Sequence, residues 1–169
     1  MLGELVRWRV VGSRCSASRA KQFFESAVDD VALPNPRFES SYRRLFGDGV
    51  AMGDRSEAFF SAFYRRFLAN SEIAELFEHV DMDRQAEMLR RSLFTLASFY
   101  VLDDASPELR RLAEVHERLG LRPHLFDFWL QCLLDTVKEF DPCCDEATLL
   151  AWGWALAPGI TYIRIVLDK

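Results

Sequence analysis

From Phe59 onward the apolar residues of this chain return every three or four positions, and they do so in separate, well-punctuated stretches. Phe59, Phe60, Phe63, Tyr64, Phe67 and Leu68 make one stripe. Gln85, Met88, Leu89, Ser92, Leu93, Leu96, Phe99 and Tyr100 make a second, and Leu109, Leu112, Ala113, His116 and Leu119 a third. That interval matches the turn of an α-helix, whereas a half-buried strand would alternate every second residue. No stretch shows the alternation and no internal repeat is visible, so the chain is expected to be all-α.

Start and stop signals divide the helices. Asp54 with Glu57 three residues later reads as a capping box after the loop GDGVAMGD, and Asp81 can cap the second stripe. Ser106-Pro107 supplies an N-cap and a first-turn proline for the third stripe, which Gly120 closes. Arg122-Pro123 opens a further helix through Phe140, and Asp145 opens the last, with a bend expected at Pro158. Upstream, a short helix is expected from about Arg37 to Phe46. Before it, Phe24, Ala27, Val28 and Val31 make an amphipathic leading helix from Lys21 to Val31 that stops at Pro34 and Pro36. Residues 1–22 carry five basic side chains against Glu4 and read as a solvated terminus, with an acidic partner or membrane surface as the other reading. The expected division is an extension over 1–36 and a helical domain over 37–169.

With 169 residues, half of them hydrophobic, the chain can bury a substantial core, and its net charge of −5 gives no footing for nucleic acid. No run of 18 apolar residues occurs, and arginines interrupt the N-terminal LVRWRVV, so neither a membrane span nor a signal peptide is expected; the cytoplasm is the expected location. Cys15, Cys132, Cys143 and Cys144 form no CxxC pair and read as reduced thiols. Fourteen phenylalanines imply a core with large flat surfaces to fill.

Tyr64, Gln85 and His116 are polar residues on three different apolar stripes. Each alone has an ordinary explanation, since buried tyrosines and histidines usually find a backbone partner. Together they suggest more. An imidazole in a core position with no carboxylate on its own stripe needs something to take its lone pair, and iron in an apolar macrocycle is such an acceptor.

Four segments then carry a family resemblance: FYRRFLANSEIAELF, DMDRQAEMLRRSL, LAEVHERLGLRPHLF and the tryptophan-bearing last helix. In order and spacing they resemble the globin family, in particular bacterial single-domain globins and the globin domains of haem-based sensors, over about residues 37–169. The resemblance implies a globin fold holding haem b, with His116 as the proximal iron ligand and Phe77 as the aromatic wedged against the porphyrin. It also implies Tyr64 and Gln85 as a distal pair, with Leu89 one turn beyond Gln85. A phenol and an amide both donate hydrogen bonds to a bound diatomic gas. His124, in the first turn after Pro123, and His79, beside Glu78, are expected at the surface. His79, Arg84 and Arg118 could also approach haem propionates.

Reversible binding of dioxygen or another diatomic gas, for storage, transport or sensing, is the expected role. The alternative from the enzyme class is a nitric oxide dioxygenase served by an external reductase, because no reductase motif is present. A haem-free helical module binding a protein partner is the third reading. In flavohaemoglobins a tyrosine and a glutamate of the last helix support the proximal histidine; here the corresponding positions fall at about Leu156 and Leu167, so peroxidase-like chemistry is not expected. The leading helix resembles the one that precedes sensor globins, which adds a separate signalling partner to the expected partners; a second copy of the chain is a further expected partner.

Overall fold

A computed structural model describes residues 35–47, 54–99 and 105–168, which belong to one compact unit beginning at Asn35. Its helices are α1 (Pro36–Phe46), α2 (Asp54–Phe67), α3 (Ser71–Leu76), α4 (Met82–Ser98), α5 (Pro107–Arg118), α6 (Leu125–Phe140) and α7 (Glu146–Leu167). Among the described residues there is no strand. The expected leading helix over 21–31, the side chain of Asp54 and the ring of Tyr100 lie outside the described residues.

The caps explain where the helices begin. Asp81, Ser106 and Asp145 each accept a hydrogen bond from the backbone N–H three residues on, as their sequence positions predict. Asn35 caps α1 in the same way, with Pro36 in its first turn. Asn70 caps α3, a helix that no stripe in the sequence announces, because six residues with only Ile73 buried are too short to show one. Gly120 ends α5 with φ +65°, a conformation that costs glycine little. Leu119 departs from expectation: α5 stops at Arg118, and Leu119, instead of completing the inward stripe, is 39% exposed. Pro123 and His124 occupy a turn, and α6 starts at Leu125.

Helix α7 packs against α1, α4, α5 and α6, while α2 packs against α1, α4 and α6. At the centre, the fully buried Trp152 of α7 meets Phe38 edge-on at 4.7 Å, and Phe46 stacks on Phe60 at 5.4 Å. Phe38, Phe46, Phe59, Phe60, Phe63, Phe67 and Phe126 are buried in this interior. Helix α7 has the length and apolarity of a membrane span, at 22 residues and mean hydropathy 1.3. Its place in the bundle accounts for part of this, since Trp152, Leu156, Ile160 and Ile163 are buried while Leu150, Trp154 and Ile165 are exposed. Pro158 sits inside α7 without ending it.

A polar cluster closes one end of the bundle. Asp141, just after α6, accepts two hydrogen bonds from Arg44 at 2.7 Å, one from Ser41 at 2.6 Å and one from the Cys143 backbone at 3.0 Å. The Trp152 indole donates to the Ser41 hydroxyl at 2.9 Å. Four donors thereby meet the needs of a carboxylate with no side-chain exposure.

Where α4 crosses α7, a Cβ on Gly159 would lie 2.6 Å from the Leu96 side chain and 3.0 and 3.1 Å from its Cα and carbonyl oxygen. The leucine tip can rotate aside, but the backbone of α4 cannot. Gly159→Ala should therefore push the helices apart and cost about 1–3 kcal/mol, as overpacking does. A lowered urea midpoint at unchanged slope is the expected reading. An unchanged midpoint would mean that the crossing tolerates a methyl group.

Candidate functional site

His116 is the last core-side residue of α5 before its C-terminus. Its Nδ1 lies 2.6 Å from the carbonyl oxygen of Leu112, one turn back. A carbonyl can only accept, so Nδ1 carries the proton and Nε2 is left with the lone pair. Burial holds the imidazole pKa below its usual value, and the carbonyl bond opposes that only in part, so the ring is neutral at pH 7. Phe126 of α6 packs against the ring at 5.5 Å. Leu109 and Ala113, on the same face, are 0% and 1% exposed, yet His116 is only half-buried.

Tyr64 is buried on α2 and donates its hydroxyl to the backbone carbonyl of Gln85 at 3.2 Å. Burial raises the phenol pKa well above 10, outweighing the opposing effect of the Gln85 side chain, so the hydroxyl stays a neutral donor at any ordinary pH. Phe77, at the end of α3, lies 6.0 Å from the rings of both Tyr64 and Phe67. Gln85 is half-buried in the first turn of α4, and Leu89, one turn on, is buried.

Tyr64, Gln85 and Phe77 thus form one cluster, while His116 stands on another helix with Phe126 as its ring neighbour. Helix α2 packs chiefly against α6, and α5 chiefly against α7. Phe67 stacks on Phe128 and Phe63 meets Trp129 edge-on, both from α6. Phe77, Phe128 and Trp129 are large rings left only partly covered by protein. Sequence reasoning did not single out Phe126, Phe128 or Trp129; the run LFDFW was the available signal, but periodicity cannot tell which of its rings face a site.

The remaining polar residues lie elsewhere. His124 is exposed, with Nε2 3.7 Å from Glu72, and Arg122 pairs with the same carboxylate at 3.1 Å. His79 is exposed in the turn after Phe77. Arg84 is exposed on α4, and Arg118 donates to the Glu114 carbonyl at 3.2 Å. Leu156 is fully buried and Leu167 half-buried, both apolar. Among the described residues no three His, Cys, Asp or Glu side chains converge as a metal site would need.

A crystal structure from Pseudomonas aeruginosa, of a protein described as structurally highly homologous to a human haemoglobin, matches this fold with a TM-score of 0.68 and 34% sequence identity. The match covers 79% of this chain and 97% of that one. This chain belongs to the globin family. No protein-family model and no curated protein sequence matches it. Globins imply haem, and the donor set of this globin fits one. It offers a single neutral imidazole with a lone pair on Nε2, where a macrocycle would bring the other four ligands, and flat apolar rings that protein alone does not cover.

Proposed function

We propose that this globin holds haem b through Nε2 of His116 and reversibly binds dioxygen or another diatomic gas, with Tyr64 and Gln85 as hydrogen-bond donors, in the cytoplasm. The haem supplies iron as the acceptor of both the imidazole and the gas. The observation that carries the reading is the Nδ1 bond to the Leu112 carbonyl, which fixes both the tautomer and the tilt of the ring that a proximal ligand requires. Phe77 braces the macrocycle edge, and Leu89 restricts the space beside Gln85. The partner of Nδ1 is a neutral carbonyl, not a carboxylate, which favours reversible binding over dioxygenase or peroxidase chemistry. Purified protein should show a Soret band and about one haem per chain. An apoprotein that takes up no added haem would end the proposal.

Tyr64 already has an acceptor, and this limits what it can contribute. A hydrogen bond to a charged or strongly polarised acceptor is worth about 1.5–3 kcal/mol, and giving up the Gln85 carbonyl costs about 1. The difference, roughly 0.5–2 kcal/mol, makes Tyr64→Phe weaken dioxygen affinity about two- to thirtyfold. Carbon monoxide, a poor hydrogen-bond acceptor, should bind with little change. Laser photolysis of each gas complex gives both affinities; equal changes for the two gases would show altered access instead of a lost donor.

A further inference from the structure

The turn between α6 and α7 carries two thiols side by side. Cys143 is exposed and Cys144 half-buried, and neither is bridged. Both backbones are tied to Asp141: the Cys143 N–H donates to its carboxylate at 3.0 Å, and the Cys144 N–H closes the turn on its carbonyl at 3.0 Å. The same carboxylate, with no side-chain exposure, takes the bonds from Ser41 and Arg44 that hold α1. A change of conformation at these two cysteines therefore reaches a buried charge and, through it, α1. Cys132, the other described cysteine, is buried about two turns back on α6 and takes no part.

The two sulfurs differ in role. Cys143 is open to a reagent from solvent. Cys144 directs its S–H at the Asp145 carbonyl, 3.8 Å away. Burial, with the carboxylates of Asp141 and Asp145, holds its pKa above the usual thiol value against the opposing Lys138 and Arg44. It is a poor first nucleophile, but it stands beside whatever Cys143 has bonded. We propose that Cys143 and Cys144 form a redox-active dithiol that reacts with small organic disulfides and closes to a bridge between the two neighbours. The Cys143 thiolate, its proton given to water, attacks the small disulfide; one half stays on Cys143, and the other leaves and takes up a proton. Cys144 then loses its proton, attacks the Cys143 sulfur and expels the second half as a thiol. Two protein thiols are oxidised, and one small disulfide is reduced to two thiols. Neighbouring α-carbons stand about 3.8 Å apart, short of the roughly 4.4–6.8 Å that a relaxed bridge spans. The bridge can close only if the turn moves, and the two N–H bonds to Asp141 are what that movement breaks. Oxidation thus takes a donor from Asp141 and loosens α1, and the strained ring is readily reduced again.

The test treats the full chain with the neutral bis(hydroxyethyl) disulfide and maps the product by peptide mass spectrometry. The peptide that holds Cys143 and Cys144 should lose two hydrogens, and dithiothreitol should restore it. In urea, the oxidised chain should unfold with an equilibrium constant at least about tenfold larger than the reduced chain, the worth of one hydrogen bond to a carboxylate. Cys143→Ser should form no such bridge and show no such shift. Because that side chain is exposed, the urea midpoint of the reduced variant should match the native one. Asp141→Ala, which has already lost the acceptor, should still form the bridge but with a far smaller shift. A Cys143 that keeps the small thiol without bridging, a bridge that leaves unfolding unchanged, or a shift in Asp141→Ala equal to the native one would each overturn the proposal.

Discussion

His116→Ala should yield a folded protein that no longer holds ferrous haem stably, with occupancy falling from about one per chain to a small fraction. The described residues offer no substitute ligand in the same place. His124 is exposed beside Glu72 and Arg122, and His79 is exposed in the turn after Phe77. The removed ring leaves a space next to Phe126, so added imidazole should enter it and restore a five-coordinate ferrous spectrum. Truncation of one half-buried side chain near the end of α5 should leave the helical circular dichroism in place. An unchanged ferrous spectrum in His116→Ala without imidazole would assign the iron to another residue.

Asp141→Ala should be the most damaging single substitution in the polar cluster, at about 2–4 kcal/mol. The figure is kept below that of a fully buried ion pair because Arg44 stays in touch with water, with 32% of its side chain exposed. What is stranded is the Ser41 hydroxyl and the Cys143 N–H, both of which lose their acceptor. Burial pushes the Asp141 pKa up, but hydrogen bonds from Arg44, Ser41 and Cys143, with the charge of Arg44, bring it below the usual carboxylate value. A carboxyl whose folded pKa is depressed stabilises the fold fully above its unfolded value, about 3.9, and that contribution is lost as pH falls toward the folded value. Urea unfolding at neutral pH should therefore show the whole loss in Asp141→Ala, and the gap to the native protein should narrow only below about pH 4. A gap that stays constant into strong acid would mean the carboxylate is not the stabilising species.

The long elements of this fold were legible because their apolar stripes and caps agree. Asp81, Ser106, Asp145 and Gly120 each do what their positions imply. Helix α3 was not, because a six-residue helix has no room for a stripe and only Asn70 announces it. Leu119 was misplaced because periodicity carries on past the point where the backbone stops. At the site, Tyr64, Gln85 and His116 stood out as polar residues on apolar faces. Their partners did not: the acceptors for Tyr64 and His116 are backbone carbonyls, of Gln85 and Leu112, which every residue has. Rings from another helix, such as Phe126 and Phe128, become neighbours only once the chain has folded.

The ties that hold α1 have a consequence for chain entropy. Asn35 bonds the carbonyl of Ala151, Ser41 and Arg44 bond Asp141, and the Trp152 indole reaches back to Ser41, so the partners are separated by 97 to 116 residues in sequence. Closing a loop of about a hundred residues costs roughly 4 kcal/mol by the logarithmic rule, and no contact within α1 itself returns any of that. The polar set therefore acts as a latch, in which one docking event satisfies several donors at once and offsets the cost of closure together. A helix held in this way has little reason to sit partly docked: it is either engaged along its length or detached from the bundle.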